Sequence, residues 1–339
     1  MPDVANMIRS QGLARAIEQT RVAGLILTYR CTAACEHCLF CCGPRAPAAA
    51  MTVDQAVEAI VQLHETGRAV HVAGGEAMIH WEVLLAAVQR TAILGKPPHF
   101  IETNASWAVS DELVRDRLGL LKAAGVLGVL ISSDPFHQKF VPAERFIRAR
   151  RIAWELFGRA NVLASSRSDQ EIIELERTAR DPDALAAYVR AHTPRLVGRA
   201  ASLARFVPPR KVEDLAGDAL WHSAGRMDCR DEFDPRTMWE IHVDPYCNIQ
   251  TCCGVLLGHL RSGTVAEQAS GGWRANPVVD LLSRQGPLGL AELAAKHGYR
   301  LRETYPQKCY LCYELRRVLQ RHYPQWLGPA EVYATPTAL

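Results

Sequence analysis

The sequence predicts an α/β fold: six βα units around a parallel sheet, followed by a smaller region of different character. Two observations predict it. From residue 22 to about residue 200, short apolar runs alternate with longer amphipathic ones. The short runs are rich in aliphatic and β-branched residues, and polar residues gather at their C-terminal ends, where the loops of a barrel-like sheet collect.

An N-terminal extension, residues 1–21, precedes the first unit. The six strands fall at 22–28, 69–73, 99–103, 128–132, 161–164 and 195–198. The first helix opens at Thr52, which forms a capping box with Gln55; Val53, Val57, Ile60 and Val61 share one face, and Gly67 stops it. Residues 110–125 repeat that grammar, and the charged stretch 168–191 has room for one or two exposed helices. The alternation ends after Ala200, and Pro208-Pro209 places a boundary near 205, so the barrel-like part is 22–205 and the second region 206–339. That region carries a hairpin at 239–250, around Asp244-Pro245-Tyr246, and helices near 278–283, 288–297 and 312–323.

With 48% hydrophobic and 22% charged residues the chain sits in the ordinary globular range, and a net charge of +3 demands neither a nucleic-acid nor a membrane partner. Residues 1–21 lack the apolar core of a signal peptide, and no run approaches the ~20 apolar residues of a membrane span, so the chain reads as cytoplasmic. In that reducing compartment, eleven clustered cysteines read as metal or iron–sulfur ligands rather than disulfides.

Cys31-Thr-Ala-Ala-Cys35-Glu-His-Cys38 follows directly on the first strand. Three thiolates on one short loop suit three irons of a cubane cluster and leave the fourth iron open to an exogenous ligand. The alternative is a zinc loop, although zinc favours four ligands in paired CxxC spacing. The spacing resembles that of the radical S-adenosylmethionine (SAM) superfamily, and the resemblance spans roughly the first 200 residues. It implies a partial (β/α)6 TIM-like barrel with a [4Fe-4S] cluster on Cys31, Cys35 and Cys38. It also implies SAM bound to the open iron, cleavage of SAM to methionine and a 5′-deoxyadenosyl radical, and a one-electron reductant such as flavodoxin or ferredoxin.

Further motifs fit the same resemblance. Gly74-Gly75-Glu76 is similar to the family segment whose backbone and carboxylate meet the SAM ammonium, with Ala77 in place of the usual proline. Thr103-Asn104 and Ser132-Ser133-Asp134 resemble segments that bind the ribose or carboxylate, which implicates Asn104 and Ser132. In Gly198-Arg199-Ala200, Arg199 suits the SAM carboxylate. His37 stands where the family has an aromatic residue near adenine. Taken alone, these glycines also fit tight turns and the polar residues fit helix N-caps. Asp134 and His137 bring an acid and an imidazole to the barrel mouth and are candidates for moving a substrate proton. Cys41 and Cys42 read as a hydrogen-atom donor, a redox pair or small buried residues.

Six more cysteines follow the barrel: Cys229, Cys247, Cys252, Cys253, Cys309 and Cys312. The Cys309/Cys312 pair opens a helix, and Cys229 followed by a hairpin and Cys252 resembles the first half of a SPASM/twitch domain, with Cys247 standing where that pattern has glycine. The resemblance implies an auxiliary [4Fe-4S] cluster on Cys229, Cys252, Cys309 and Cys312, with Cys247 or Cys253 as substitutes for Cys252. A structural zinc site is the other reading. An electron sink beside a radical site implies dehydrogenation, and the short stretch before Cys31 leaves no room for a separate peptide-recognition domain. The expected substrate is therefore small and polar, a sugar, aminocyclitol or related natural product. The rivals are an epimerase with Cys247, Cys253 or Cys42 as hydrogen donor, an enzyme that modifies short peptides, and a non-catalytic zinc or iron–sulfur protein.

Overall fold

The computed structural model describes residues 3–164, 168–215, 229–233, 238–269 and 276–333. Helices α1 (Val4–Gln11) and α2 (Leu13–Thr20) lead into β1 (Val22–Ile26). The alternation continues with α3 (Val53–His64), β2 (Ala69–Ala73), α4 (Trp81–Ile93), β3 (Phe100–Thr103), α5 (Asp111–Ala123) and β4 (Gly128–Ile131). It closes with α6 (Pro135–Gln138), α7 (Ala143–Phe157), β5 (Val162–Ala164), α8 (Asp169–Arg180) and α9 (Pro182–Ala191). Next come β6 (Arg210–Lys211), α10 (Val212–Leu215), α11 (Cys229–Glu232), β7 (Glu240–Val243), β8 (Asn248–Thr251), β9 (Leu256–His259) and α12 (Val265–Ala269). The chain ends in α13 (Pro277–Gln285), α14 (Gly289–Ala295), β10 (Thr304–Tyr305), α15 (Lys308–Gln320) and α16 (Ala330–Tyr333).

Local chemistry explains where the helices start. Thr52 and Gln55 form the expected capping box on α3, and Ser110 accepts from Leu113 N at the head of α5. The charged stretch after 168 is two helices because Asp181 ends α8 and caps α9, with Pro182 at the first position of the second helix.

One eight-stranded sheet runs in the order β5-β4-β3-β2-β1-β7-β8-β9. Strands β1 to β5 and β7 are parallel, β8 and β9 are antiparallel, and the sheet stays open: a partial barrel. The expected sixth strand, 195–198, is a correction. That segment joins no sheet; Leu196 N donates to Gln307 Oε1 (2.8 Å), and Gln307 Nε2 donates to Pro194 O (3.1 Å). An α15 N-cap side chain thus takes the partners that a neighbouring strand would have taken. The sixth parallel strand is instead β7, the first half of the expected hairpin, and it lies on the far side of β1.

Alternation along the strands gives the sheet two faces. Ala23, Leu25, Val70, Val72, Ile101, Val129, Ile131, Ile241 and Val243 join the main apolar core with residues of α3, α4, α5 and α7. Gly24, His71, Phe100, Glu102, Glu240 and His242 lie on the opposite, inward face. Helices α1 and α2 close one end of it through Val4, Ile8, Leu13, Ala16 and Ile17, which pack on Val22, Ala69 and Phe100. At the other end, past the C-terminal ends of the strands, the cysteine loop begins.

Candidate metal centres

The loop after β1 folds back on itself through Cys31 N to Gly43 O (3.2 Å) and Gly43 N to Tyr29 O (3.3 Å). It brings Cys31 and Cys35 to buried positions and leaves Cys38 half-buried. Amide donors point at the sulfurs: Asn104 Nδ2 donates to Cys31 Sγ (3.3 Å), Ala33 N to Cys31 Sγ (3.4 Å) and Cys42 N to Cys38 Sγ (3.3 Å). Such donors favour thiolate over thiol, the form that binds metal. Burial pushes Cys31 up to about 12, whereas the hydrogen bond from Cys42, working against burial and with the positive Arg199, lowers Cys38.

Arg199 clamps the loop. Its Nη1 donates to Cys35 O (2.9 Å), its Nη2 to Cys41 O and Cys42 O (2.8 Å each), and its backbone N to Cys38 O (3.0 Å). The guanidinium that sequence reasoning aimed at a SAM carboxylate is thus committed to the peptide carbonyls that shape the cysteine loop.

The other motifs meet at the same end of the sheet. Gly74 and Gly75 follow β2 and lie against residues 28–31, with Gly75 N donating to Thr28 O (2.7 Å). A Cβ at Gly75 would stand 2.1 Å from Arg30 O, so only glycine permits this approach. It carries Glu76 into a buried position, where the carboxylate accepts from Met78 N (3.1 Å), Thr103 Oγ1 (3.0 and 3.1 Å) and Asn104 N (2.7 Å). Burial pushes Glu76 up to about 7, and among the described residues none of its hydrogen-bond partners is a cation. Ser132 sits at the end of β4, its Oγ 3.5 Å from Glu102 Oε1.

Asp134 caps α6 and holds two imidazoles, His137 Nδ1 at 2.8 Å and His37 Nε2 at 3.3 Å from Oδ2. His37 also stacks on Phe136 with ring centroids 4.6 Å apart, as an aromatic residue at that place would. His137 reaches the Cys35 sulfur. Burial works against the charged ring, yet the Asp134 carboxylate and Cys35 raise His137 well above its ordinary range. The structure therefore places the two proposed proton-handling residues behind the cysteine loop.

The second thiol group forms where α11, β8 and α15 meet. A small cavity is lined by Cys229, Cys253, Cys309 and Cys312, with Val197, Glu232, Lys308 and Arg316 beside them. Cys252, the first choice from sequence, is not among the lining residues; its sulfur accepts from Arg195 Nη1 (2.8 Å) and lies 3.9 Å from Glu232 Oε1. The two sulfurs lie close together, both within reach of Arg195 Nη1, but of the pair only Cys253 lines the cavity. Cys247 lies elsewhere, with Gln55 Nε2 3.8 Å from its sulfur.

Two guanidiniums that sequence reasoning missed attend this cavity. Arg195, 0% exposed, donates to Cys252 and Cys253 Sγ (2.8 and 3.1 Å). Arg316, 1% exposed, donates to Cys312 Sγ (3.3 Å) and to Cys253 O. Buried cations need compensating negative charge. Cys253 supplies part of it, held well below its ordinary range by the hydrogen bond from Cys252 and by both arginines, whereas burial raises Cys229, Cys309 and Cys312. The donor set therefore fits an anionic, thiolate-bound metal centre. Arg316 stands four residues after Cys312, on the same helix face, a spacing that the sequence displays.

Residues 25–160 match the model of the Radical SAM superfamily. The match runs from the end of β1 through β4 and takes in the cysteine, Gly74-Gly75-Glu76, Asn104 and Ser132 segments, so these residues match the radical SAM domain, a family that works with a [4Fe-4S] cluster and SAM. Among solved structures, the chain is similar to that titled "Crystal structure of BtrN in complex with AdoMet and 2-DOIA". The two are 12% identical, with a TM-score of 0.45, over 87% of this chain and 92% of that one. No curated protein matches the chain. Among the described residues no helix is long and apolar enough to cross a membrane.

Proposed function

We propose that the chain is a radical SAM dehydrogenase of a small polar substrate, with Cys31, Cys35 and Cys38 holding the SAM cluster and Cys229, Cys253, Cys309 and Cys312 an auxiliary one. The observation that carries this reading is the second thiol cavity with its two buried arginines: a site for an electron acceptor within a radical SAM protein. When bound, the first cluster supplies the electron that cleaves SAM, and the second takes up the electron released as the substrate radical is oxidised.

The chain's own residues prepare these events. Arg199 fixes the cysteine loop, and Asn104 steadies the Cys31 sulfur. Glu76, buried without a cationic partner among the described residues, offers the SAM ammonium a counter-charge. His37 gives adenine a flat surface. His137, kept protonated by Asp134, donates toward Cys35, so this pair orders the loop. Glu102 and Ser132 present acceptors and a donor at the mouth of the inward face, chemistry that suits hydroxyl or amino groups on a substrate.

The test is anaerobic. Reconstituted protein should bind about eight irons and the Cys31/Cys35/Cys38 triple alanine variant about four, by the stoichiometry of cysteine-ligated cubanes. With reductant, SAM and pools of polyols and aminocyclitols, the wild type should form one 5′-deoxyadenosine per product lighter by two hydrogens. The triple variant should form none. Iron near zero in that variant removes the auxiliary cluster, and a product of unchanged mass removes dehydrogenation.

A further inference from the structure

The inward face of the sheet carries a set of metal-type donors built without cysteine, which the radical chemistry above does not use. Strand register places Gly24 of β1 between His71 of β2 and His242 of β7. A Cβ at position 24 would stand 2.3 Å from His71 Nε2 and 2.5 Å from His242 Cδ2, so the missing side chain is what lets the two rings converge. Both Nε2 atoms stand near one oxygen, Glu240 Oε1, at 3.3 Å from His71 and 3.2 Å from His242.

This is more than a shared ion pair. His71 is 2% exposed, yet neither of its ring nitrogens makes a hydrogen bond. Nε2 is near enough to Glu240 but is not aimed along the line to its oxygen. It belongs instead to a close group of three donor atoms, with Glu240 and His242. Two ligand atoms about 2.1 Å from a tetrahedral metal stand about 3.4 Å apart, a separation that shrinks to about 3.0 Å at a right angle. The observed separations, 3.3 and 3.2 Å, lie between those values, and the three donor atoms all lie within 4.8 Å of one another. On the far side of the His71 ring, Glu102 Oε2 lies 3.7 Å from Nδ1, the direction from which a carboxylate supports a metal-bound imidazole. Strands also hold such donors more rigidly than loops do.

We propose that His71, Glu240 and His242 form a binding site for a divalent cation on the inward face of the sheet, distinct in ligand chemistry from both thiol sites. Two imidazoles and one carboxylate suit zinc, cobalt or ferrous iron and leave coordination positions open for water or a substrate oxygen. The site requires no SAM turnover, so its failure leaves the dehydrogenase reading standing.

Cobalt(II) is the probe. Full-length protein with its thiol sites loaded with iron is dialysed against Co2+, and bound cobalt is counted by elemental analysis and examined by cobalt-edge X-ray absorption. One cobalt per chain is expected, with a nitrogen and oxygen shell, imidazole scattering and no sulfur. His71→Ala and His242→Ala should abolish that cobalt at unchanged iron content, and the size-preserving Glu240→Gln should weaken its binding at least tenfold. Sulfur in the cobalt shell, no retained cobalt in the wild type, or retention unaltered in all three variants overturns the proposal. The wild-type arm decides even where a variant fails to fold.

Discussion

Replacing Glu76 by glutamine isolates the energetic state of the proposed SAM pocket. The carboxyl is 1% exposed, and burial raises it from an ordinary 4.5 to about 7. At about 1.36 kcal/mol per pH unit, that difference is worth about 3 kcal/mol. The sign follows from linkage. Below pH 4.5 the group is protonated in both folded and unfolded chains, and its full contribution to stability is present. Between 4.5 and 7 the unfolded chain releases a proton that the folded one retains, so stability falls as pH rises; above 7 the loss is complete and the curve is flat. The amide of the glutamine variant has no such proton. The stability of the wild type relative to Glu76→Gln should therefore drop by about 3 kcal/mol from about pH 4.5 to about pH 7.5. The amide NH2 facing Asn104 N–H adds a constant penalty of about 1–3 kcal/mol to the variant, which offsets the curve without changing its slope. Urea unfolding of cluster-free protein under reducing, anaerobic conditions measures the difference at each pH. Repeating the series on cluster-loaded protein with saturating SAM should shrink the step, because the ammonium supplies the missing cation. A difference that does not vary with pH refutes the argument.

The two other expectations concern the cysteine sites. Cys253→Ala should reduce auxiliary iron while Cys252→Ala leaves it near the wild-type content, since only Cys253 lines the cavity; elemental analysis of reconstituted protein decides, and the reverse order would restore Cys252 as the ligand. Arg199→Met should cost the cysteine loop about 3 kcal/mol, the scale of charged hydrogen bonds lost, and release SAM-site iron severalfold faster under chelator, as followed by visible absorption.

The sequence displayed its local grammar openly. Strand runs, the Thr52 capping box, the paired helices after 168 and the hairpin around Asp244 depend on near neighbours and sit where their patterns put them. Cys31, Cys35, Cys38, Glu76 and Asn104 converge because consecutive βα loops share one end of a sheet. What the sequence hid are choices made by distant partners. Residues 195–198 read as a strand because Leu196, Val197 and Gly198 suit one, but a glutamine more than a hundred positions later takes their hydrogen bonds. Cys252 and Cys253 are chemically alike and adjacent, and only the shape of the cavity formed with α11 and α15 separates them. Arg199 has the charge for a carboxylate and spends it on peptide carbonyls instead. His71 and His242 are ordinary strand residues until Gly24 is found between them.

The pairing of β1 with β7 has a consequence for how the chain is made. Val22 lies beside Glu240, so β1, once it leaves the ribosome, waits for about 200 further residues before its second edge is covered. During that wait β2 can dock on one side, while the other side offers unpaired backbone groups to any extended segment nearby. Contacts so far apart in sequence slow folding and leave intermediates prone to association. Expression of the N-terminal 205 residues alone would leave that edge permanently open, and recovery of the chain in good yield depends on synthesis reaching β7 before another molecule takes its place.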